Sequence, residues 1–470
     1  MRAMMKKIGW RRLRLATQLL FWALLLLPLA GFPWFRGTYV SSRFLGLPLT
    51  DPFAAAQVLA AGGRWLAGAA ALGLVLVILL YLIFGRAFCA WVCPLGSLME
   101  GVDWIGARLL PNRWPARRAA WPRWSRWAVA LLLLLLSAAT GQALFEWLSP
   151  QATLMRSLLF GLGLQLTLVA LALLFDLFVL RRGWCRSVCP AGALYSLLGR
   201  GALLRVGHDR ATCDRCGRCI QVCPMNGRET LLETVAGRGP AQADPWVCSN
   251  CGDCIDACPH HSLGFVPVWR VQKAEKPART AGEDRRRALG ILGGAVLAAG
   301  ISVARPMLAA PAGRRLLRPP GALPEPFFLG LCLRCGQCAQ ACPRSAIRIA
   351  RWEHGLSTGT PYIAARETAC DLCGGQAPAC AAVCPTQALH LEPGEPVRMG
   401  TAVIDATRCL AHMGDICRSC FNACPLRGRA IVLEGALRPV VDPALCTGCG
   451  LCEEHCLVEP AAIHVEPLNP

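Results

Sequence analysis

Residues 213–224 read CDRCGRCIQVCP, and the same spacing returns at 248–259 as CSNCGDCIDACP and at 332–343 as CLRCGQCAQACP. Each stretch has the form C-x2-C-x2-C-x3-C-P, with three thiols in one short loop and a fourth just before a proline. Three looser copies follow. Cys370, Cys373, Cys380 and Cys384 have an enlarged second gap, Cys409, Cys417, Cys420 and Cys424 an enlarged first gap, and Cys446, Cys449, Cys452 and Cys456 end in Leu457 instead of proline. These six runs absorb all but four of the chain's 28 cysteines.

The chemistry explains the spacing. Thiolates at i, i+3 and i+6 cap three irons of a cubane, while the fourth cysteine crosses to a partner cluster, as in bacterial two-cluster ferredoxins. Such runs come in pairs. Pairing the first two gives one set of Cys213, Cys216, Cys219 and Cys258 and another of Cys248, Cys251, Cys254 and Cys223. For the last four runs two orders stay open, neighbour with neighbour or first with last. Apolar tails such as CPRSAIRI, CPTQALHL and CPLRGRAIVL suit a strand after each loop. The expectation is ferredoxin-like α+β modules, built as internal repeats and holding six [4Fe-4S] clusters. Zinc knuckles need two C-x2-C pairs and no fourth cysteine before proline. Ligand-spaced triplets are also poor disulfide partners.

With 54% apolar and 17% charged residues over 470 positions, the chain is too apolar for an ordinary soluble protein. Four stretches, about Leu15 to Phe35, Leu66 to Phe84, Trp127 to Trp147 and Leu158 to Leu180, are each long enough to cross roughly 30 Å of hydrocarbon. The fold class expected is an α-helical membrane bundle of four spans plus a fifth. The net charge of +20 is lopsided, because residues 305–470 carry 15 Arg against 14 acidic residues. The excess lies before the first span (Arg2, Lys6, Lys7, Arg11, Arg12, Arg14) and between spans two and three (Arg86, Arg108, Arg113, Arg117, Arg118, Arg123, Arg126). By the positive-inside rule the N-terminus, the 85–126 loop and the residues after span four are cytoplasmic. No nucleic-acid partner is needed to account for the charge.

Asp284-Arg285-Arg286-Arg287-Ala288-Leu289 precedes a weakly apolar stretch ending at Val303, which resembles a twin-arginine export signal. Clusters are built in the reducing cytoplasm, so a cluster domain bound for the periplasm must cross already folded. The alternative is a cytoplasmic linker helix. The domain organisation expected is 1–200, a four-span membrane domain; 201–270, a cytoplasmic two-cluster module; 271–310, a basic linker with the signal or fifth span; and 311–470, a four-cluster periplasmic module.

The remaining cysteines form a duplication, Phe88-Cys89-Ala90-Trp91-Val92-Cys93-Pro94 and Trp184-Cys185-Arg186-Ser187-Val188-Cys189-Pro190. At i and i+4 a continuing helix would put both thiols on one face before the proline breaks it. Two such ends side by side would assemble a further metal centre or a redox dithiol pair, where the bland reading is simple packing. Asp176, in LALLFDLFVLRR, is a candidate proton acceptor, or else it pairs with Arg181 or Arg182. Glu146 is a weaker candidate. No histidine falls within the four stretches and no C-x-x-C-H occurs, so no haem is expected; no NAD or ATP fingerprint appears.

Four spans, two C-x3-C-P motifs and a two-cluster module, in that order over about residues 1–270, resemble the NapH family of membrane quinol dehydrogenase subunits. From the twin-arginine stretch onward the chain resembles NapG, the exported ferredoxin-type partner. MauN, MauM, NosR-type and CcoG-type proteins belong to the same wider group. The resemblance implies a multi-pass protein of the bacterial inner membrane that oxidises quinol from the membrane pool. Electrons would pass singly to a periplasmic c-type cytochrome or nitrate reductase, with the spans supplying the quinol pocket. It leaves two other functions open, an electron-supplying maturation factor and a redox sensor.

Overall fold

The structure, a computed structural model, describes residues 9–30, 32, 34–62, 68–109, 124–161, 163, 165–237, 240–271, 316–392, 394–435 and 437–468. The chain opens with α1 (Trp10–Leu26), an antiparallel sheet of β1 (Phe35–Gly37), β2 (Ser41–Phe44) and β3 (Leu47–Thr50), and α2 (Pro52–Ala60). Then come α3 (Gly68–Phe84), α4 (Ala87–Trp91), α5 (Pro94–Leu109), α6 (Ser125–Thr140), α7 (Leu144–Leu148), α8 (Pro150–Phe160), α9 (Leu166–Phe178), a π-helical turn (Trp184–Val188) and α10 (Pro190–Gly199).

This order contains a duplication larger than the cysteine motif. A short helix opening on a capped proline (Asp51-Pro52, Ser149-Pro150) leads to a long apolar helix (α3, α9), then to a C-x3-C-P turn, then to a helix starting at that proline (α5, α10). The caps are built the same way. Asp51 accepts the Phe53 and Ala54 N–H groups at 2.9 Å, and Ser149 Oγ accepts the Ala152 N–H at 3.3 Å. Each cap satisfies donors left open at a helix start, and proline at the first helical position has no N–H to lose.

Among the described residues, one helix, Trp10–Leu29, is long and apolar enough to cross a bilayer alone; Ala69–Phe84, Ser125–Thr140 and Leu166–Phe178 are apolar but shorter. The apolar runs expected at 127–147 and 158–180 are longer than the helices because glycine interrupts them. Gly141 ends α6 at φ +68°, and Gly161 ends α8 at φ +103° before α9 begins. Only glycine takes such conformations freely. The first run, expected to reach Phe35, leaves helix geometry by Ala30, and its last residue opens β1.

The 204–267 module is closed by β4 (Leu204–His208) and β5 (Leu263–Pro267), antiparallel with Leu204 opposite Pro267. It sits where α1 and α6 begin and α3 ends. Arg14 donates to Cys251 O at 2.8 Å and pairs with Asp253 and Glu100; Trp91 Nε1 donates to Asn250 O, and Arg126 to Trp246 O. Asp256 accepts the Trp10 and Arg11 N–H groups at 2.9 and 2.8 Å, capping α1 from another module.

The 316–468 module contains β6 (Ile347–Ile349), β7 (Pro361–Ile363), β8 (Gly400–Ile404), β9 (Ile431–Glu434), β10 (Arg438–Val441) and β11 (Ile463–Pro467), paired β6–β7, β9–β10 and β8–β11. It docks at the opposite end of the bundle. Buried Arg334 donates to Ala143 O at 3.0 Å, Gly37 N donates to Gln340, and Phe328 packs among Val40, Ala54 and Val58. The bundle therefore separates the described ends Val271 and Leu316. The basic linker, the twin-arginine stretch and the expected fifth span between them lie outside the described residues.

Replacing Asp256 with alanine leaves the first N–H groups of α1 without their acceptor, at an expected cost of about 1 kcal/mol. Hydrogen exchange at Trp10 and Arg11 should speed up while the absorbance of the cysteine sites stays unchanged. Unchanged protection would show that the cap is not holding the helix end.

Candidate metal centres

Each cysteine loop is shaped by two left-handed backbone positions around its second cysteine. The residue before it has positive φ at Arg215, Asn250, Arg334, Leu372 and Gly448 (+52° to +69°), and so does the glycine after it. At Gly252 the reason is also steric, because a Cβ there would lie 2.7 Å from Trp10 Cβ. The reversal turns backbone N–H groups onto sulfur. Arg215, Asn250 and Leu372 each donate at 3.4 Å to the thiol two residues back, the kind of donor nest an anionic centre requires. The loop from Cys409 to Cys420 departs from this plan, spending its extra residues on a helical turn, Leu410–Met413.

The proline after the fourth cysteine has a separate effect. Cys223, Cys342 and Cys424 are extended, with ψ of 117°, 114° and 124°, because a following proline disfavours helical backbone. That extension carries each thiol out of its own loop into the next one's cavity. Cys223 joins Cys248, Cys251 and Cys254; Cys342 joins Cys370, Cys373 and Cys380; Cys424 joins Cys446, Cys449 and Cys452. The crossing is reciprocal. Cys456 joins Cys409, Cys417 and Cys420, Cys384 acts on Cys332, Cys335 and Cys338, and Cys258 lies with Cys213, Cys216 and Cys219. Of the two orders left open for the last four runs, the structure adopts neighbour with neighbour.

These cavities suit a cluster better than a single ion. Four of them are lined almost wholly by thiols and apolar side chains. Among the described residues, no three His, Cys, Asp or Glu groups converge closely enough to share one metal ion. Burial pushes Cys223, Cys248 and Cys251 up to about 12, with neighbouring thiols or Asp253 adding to it. Loading such a site must therefore displace protons, and thiolates there need the charge of bound iron.

The C-x3-C-P cysteines do not lie on a continuing helix. Cys89 is in α4 and Cys93 beyond it, Cys185 is in the π-helical turn and Cys189 at its end, and each proline opens the next helix. The two motifs nevertheless interlock. Cys89 packs with Cys189 in one core and Cys185 with Cys93 in another, with Phe88 and Trp184 in both. Burial, then the other thiols, pushes Cys93 up to about 12 and Cys189 to about 11.

Asp176 is fully buried. Its Oδ1 accepts the Gly183 N–H at 2.7 Å, closing the turn after α9, and its Oδ2 has no hydrogen-bond partner among the described residues. The neighbouring arginines are engaged elsewhere, Arg181 with Asp103 and Arg182 with Asp103 and Glu100. Those two acids on α5 carried no signal in the sequence, being distant in the chain. A second buried group lies beyond the end of α6, around Glu146, the weaker of the two acidic candidates. Glu146 meets Gln57, while Arg156 donates to its backbone carbonyl; nearby Asp51 is hydrogen-bonded by the Tyr195 hydroxyl.

Comparison with known proteins agrees with this geometry. A 4Fe-4S binding domain family matches residues 66–113 and 162–208, which contain the C-x3-C-P motifs. A 4Fe-4S dicluster family matches 205–259, a second one 369–428, and another 4Fe-4S binding family 326–348 and 439–456. The match over 369–428 spans two consecutive runs, whereas the thiols of those runs line separate pairs of cavities. The methylamine utilization ferredoxin-type protein MauN of Methylorubrum extorquens is 40% identical over 46% of this chain and 74% of its own length. The ferredoxin-type protein NapH of Escherichia coli is 40% identical over 41% and 68%. MauM of Paracoccus denitrificans is 42% identical over 40% and 87%. No solved structure matches the chain significantly.

Proposed function

Because the chain belongs to the ferredoxin-type protein families of NapH and MauN and of NapG and MauM, we propose that it is a membrane-embedded electron-transfer protein. It oxidises a membrane quinol and passes the electrons through six [4Fe-4S] clusters to a periplasmic acceptor such as nitrate reductase or its c-type cytochrome. The observation that carries this reading is placement: thiol-lined cavities lie at both ends of one apolar helical bundle.

The surface of the bundle supports embedding. Leu15, Leu19, Leu20, Leu72, Val75, Leu132, Leu171 and Phe178 are each about half exposed, forming an apolar band that soluble proteins rarely display. Buried Arg14, Arg86 and Arg126 gather at the end that holds the 204–267 module, as the positive-inside rule asks of a cytoplasmic face. The 316–468 module then faces the periplasm.

Each cluster, when bound, supplies a one-electron couple tuned by its surroundings. The chain's own contribution is the reciprocal ligand sets, the N–H groups aimed at sulfur and the apolar walls that keep water away. Asp176 is proposed as the acceptor of a quinol proton, through the carboxylate oxygen that the Gly183 N–H leaves free.

Purified full-length protein mixed with ubiquinol or menaquinol should bleach its cluster absorbance and turn over with an artificial acceptor. The absence of quinol-dependent reduction would sink this reading and leave the maturation and sensor functions. Asp176→Asn should lower kcat by about a hundredfold with iron content unchanged. An unaltered kcat would reduce Asp176 to the cap of its turn.

A further inference from the structure

We propose that Cys89, Cys93, Cys185 and Cys189 hold an iron-sulfur centre that relays single electrons between the 204–267 and 316–468 modules. This rests on the reading of both modules as cluster carriers on opposite sides of a membrane. Helix α3, with 17 residues, rises about 25 Å between the two docking ends. A gap of that order is too long for one direct transfer, and the four thiols lie within it.

Contacts run from these thiols to both modules. On one side Arg86, almost wholly buried, donates to Trp246 O at 3.3 Å and to Val247 O at 3.4 Å, next to Cys248. The same guanidinium acts electrostatically on Cys89, Cys189 and Cys248. On the other side Gln151 Nε2 lies 3.6 Å from Cys189 Sγ. Gln151 is joined through Ser149 to the Tyr39 hydroxyl by contacts of 2.7 and 2.9 Å. Tyr39 and Ala152 pack in the core that contains Cys332, Cys335 and Cys338.

The surroundings fit an anionic group. The buried guanidinium of Arg86 is hydrogen-bonded to the Cys89 side chain, and its Nε and Nη2 meet no oxygen acceptor among the described residues. A buried cation is matched by an anionic group at that thiol. Two of the thiols also lie at helix starts. Cys93 and Cys189 directly precede α5 and α10, with the Gly192 N–H 3.4 Å from Cys189 Sγ. Gln151 belongs to the first turn of α8, and Phe53, in the first turn of α2, packs with Cys89 and Cys189. Helix starts favour negative charge, as tetrathiolate iron-sulfur cores carry.

The transfer balances without bonds or protons. A reduced cluster in the Cys248 set loses one electron and is oxidised by one unit. The four-thiol centre gains that electron and returns to its oxidised state on passing it to an oxidised cluster in the Cys332 set.

The test uses the full chain in sealed, quinone-free vesicles with the 316–468 module outward, and dithionite, which does not cross lipid, added outside. Wild type should reduce the clusters of both modules. A Cys89→Ser, Cys189→Ser double variant should contain less iron and leave the 204–267 clusters oxidised by electron paramagnetic resonance. Reduced viologen, which crosses lipid, should then reduce them and show them intact. Gln151→Leu, which keeps every thiol, should slow reduction of the inner clusters alone, and it carries the test if the double variant does not fold. Full iron content in the double variant, wild-type inner reduction in either variant, or no inner reduction in wild type would overturn the proposal. No quinol is present, so failure of quinol oxidation is a separate result.

Discussion

The fourth cysteine of every run belongs to its neighbour's cavity, and the rest of each module follows from that exchange. A loop that gives away one thiol and receives another cannot be completed alone, so the runs must fold in pairs with their cavities side by side. The enclosing strands come from the two ends of a pair, as β4 with β5 and β8 with β11 show. Thiols also make up much of the hydrophobic core. Cys219 and Cys254 are among the buried residues of one module's core, and Cys420 and Cys452 of another's. Units this small bury little apolar surface, so their stability leans on whatever binds the thiols.

At the bundle ends the governing physics is electrostatic. Arg14, Arg86 and Arg334 are almost fully buried, a costly place for a cation; Arg14 and Arg86 of the bundle donate to backbone carbonyls of the 204–267 module, and Arg334 of the 316–468 module donates to the Ala143 carbonyl of the bundle. An interface built this way demands geometry, because a displaced module leaves a buried guanidinium without its acceptors. Asp256 at the start of α1 adds the complementary case, an acid on the module answering the positive end of a helix.

Much of this was legible in the residues. Cysteine spacing anticipated which thiols the structure brings together in the 204–267 module, because spacing within a loop is local and the proline enforces the exit of the fourth thiol. The order of pairing among the last four runs was not legible, since both orders use identical loops. Helix limits were misread where Gly141 and Gly161 interrupt apolar runs that hydropathy treats as continuous. The Asp51 and Ser149 caps escaped notice because an Asp-Pro or Ser-Pro pair reads as an ordinary turn until its helix is seen to point inward. Asp103 and Glu100 were hidden for another reason: their partners lie far away in sequence, and no local pattern marks an acid that will be buried.

The 204–267 module follows α10 after only four residues and is held close by the chain itself. The 316–468 module is reached through 44 intervening residues and otherwise depends on Arg334, Gln340 and Phe328 at its docking face. MauN and MauM, similar to 46% and 40% of this chain, are separate proteins. Here the two kinds of unit share one polypeptide, which sets an effective concentration on the order of millimolar for a short flexible tether and less for a longer one. A docking face that would be too weak between free subunits is then enough, and the stoichiometry of the two halves is fixed at synthesis.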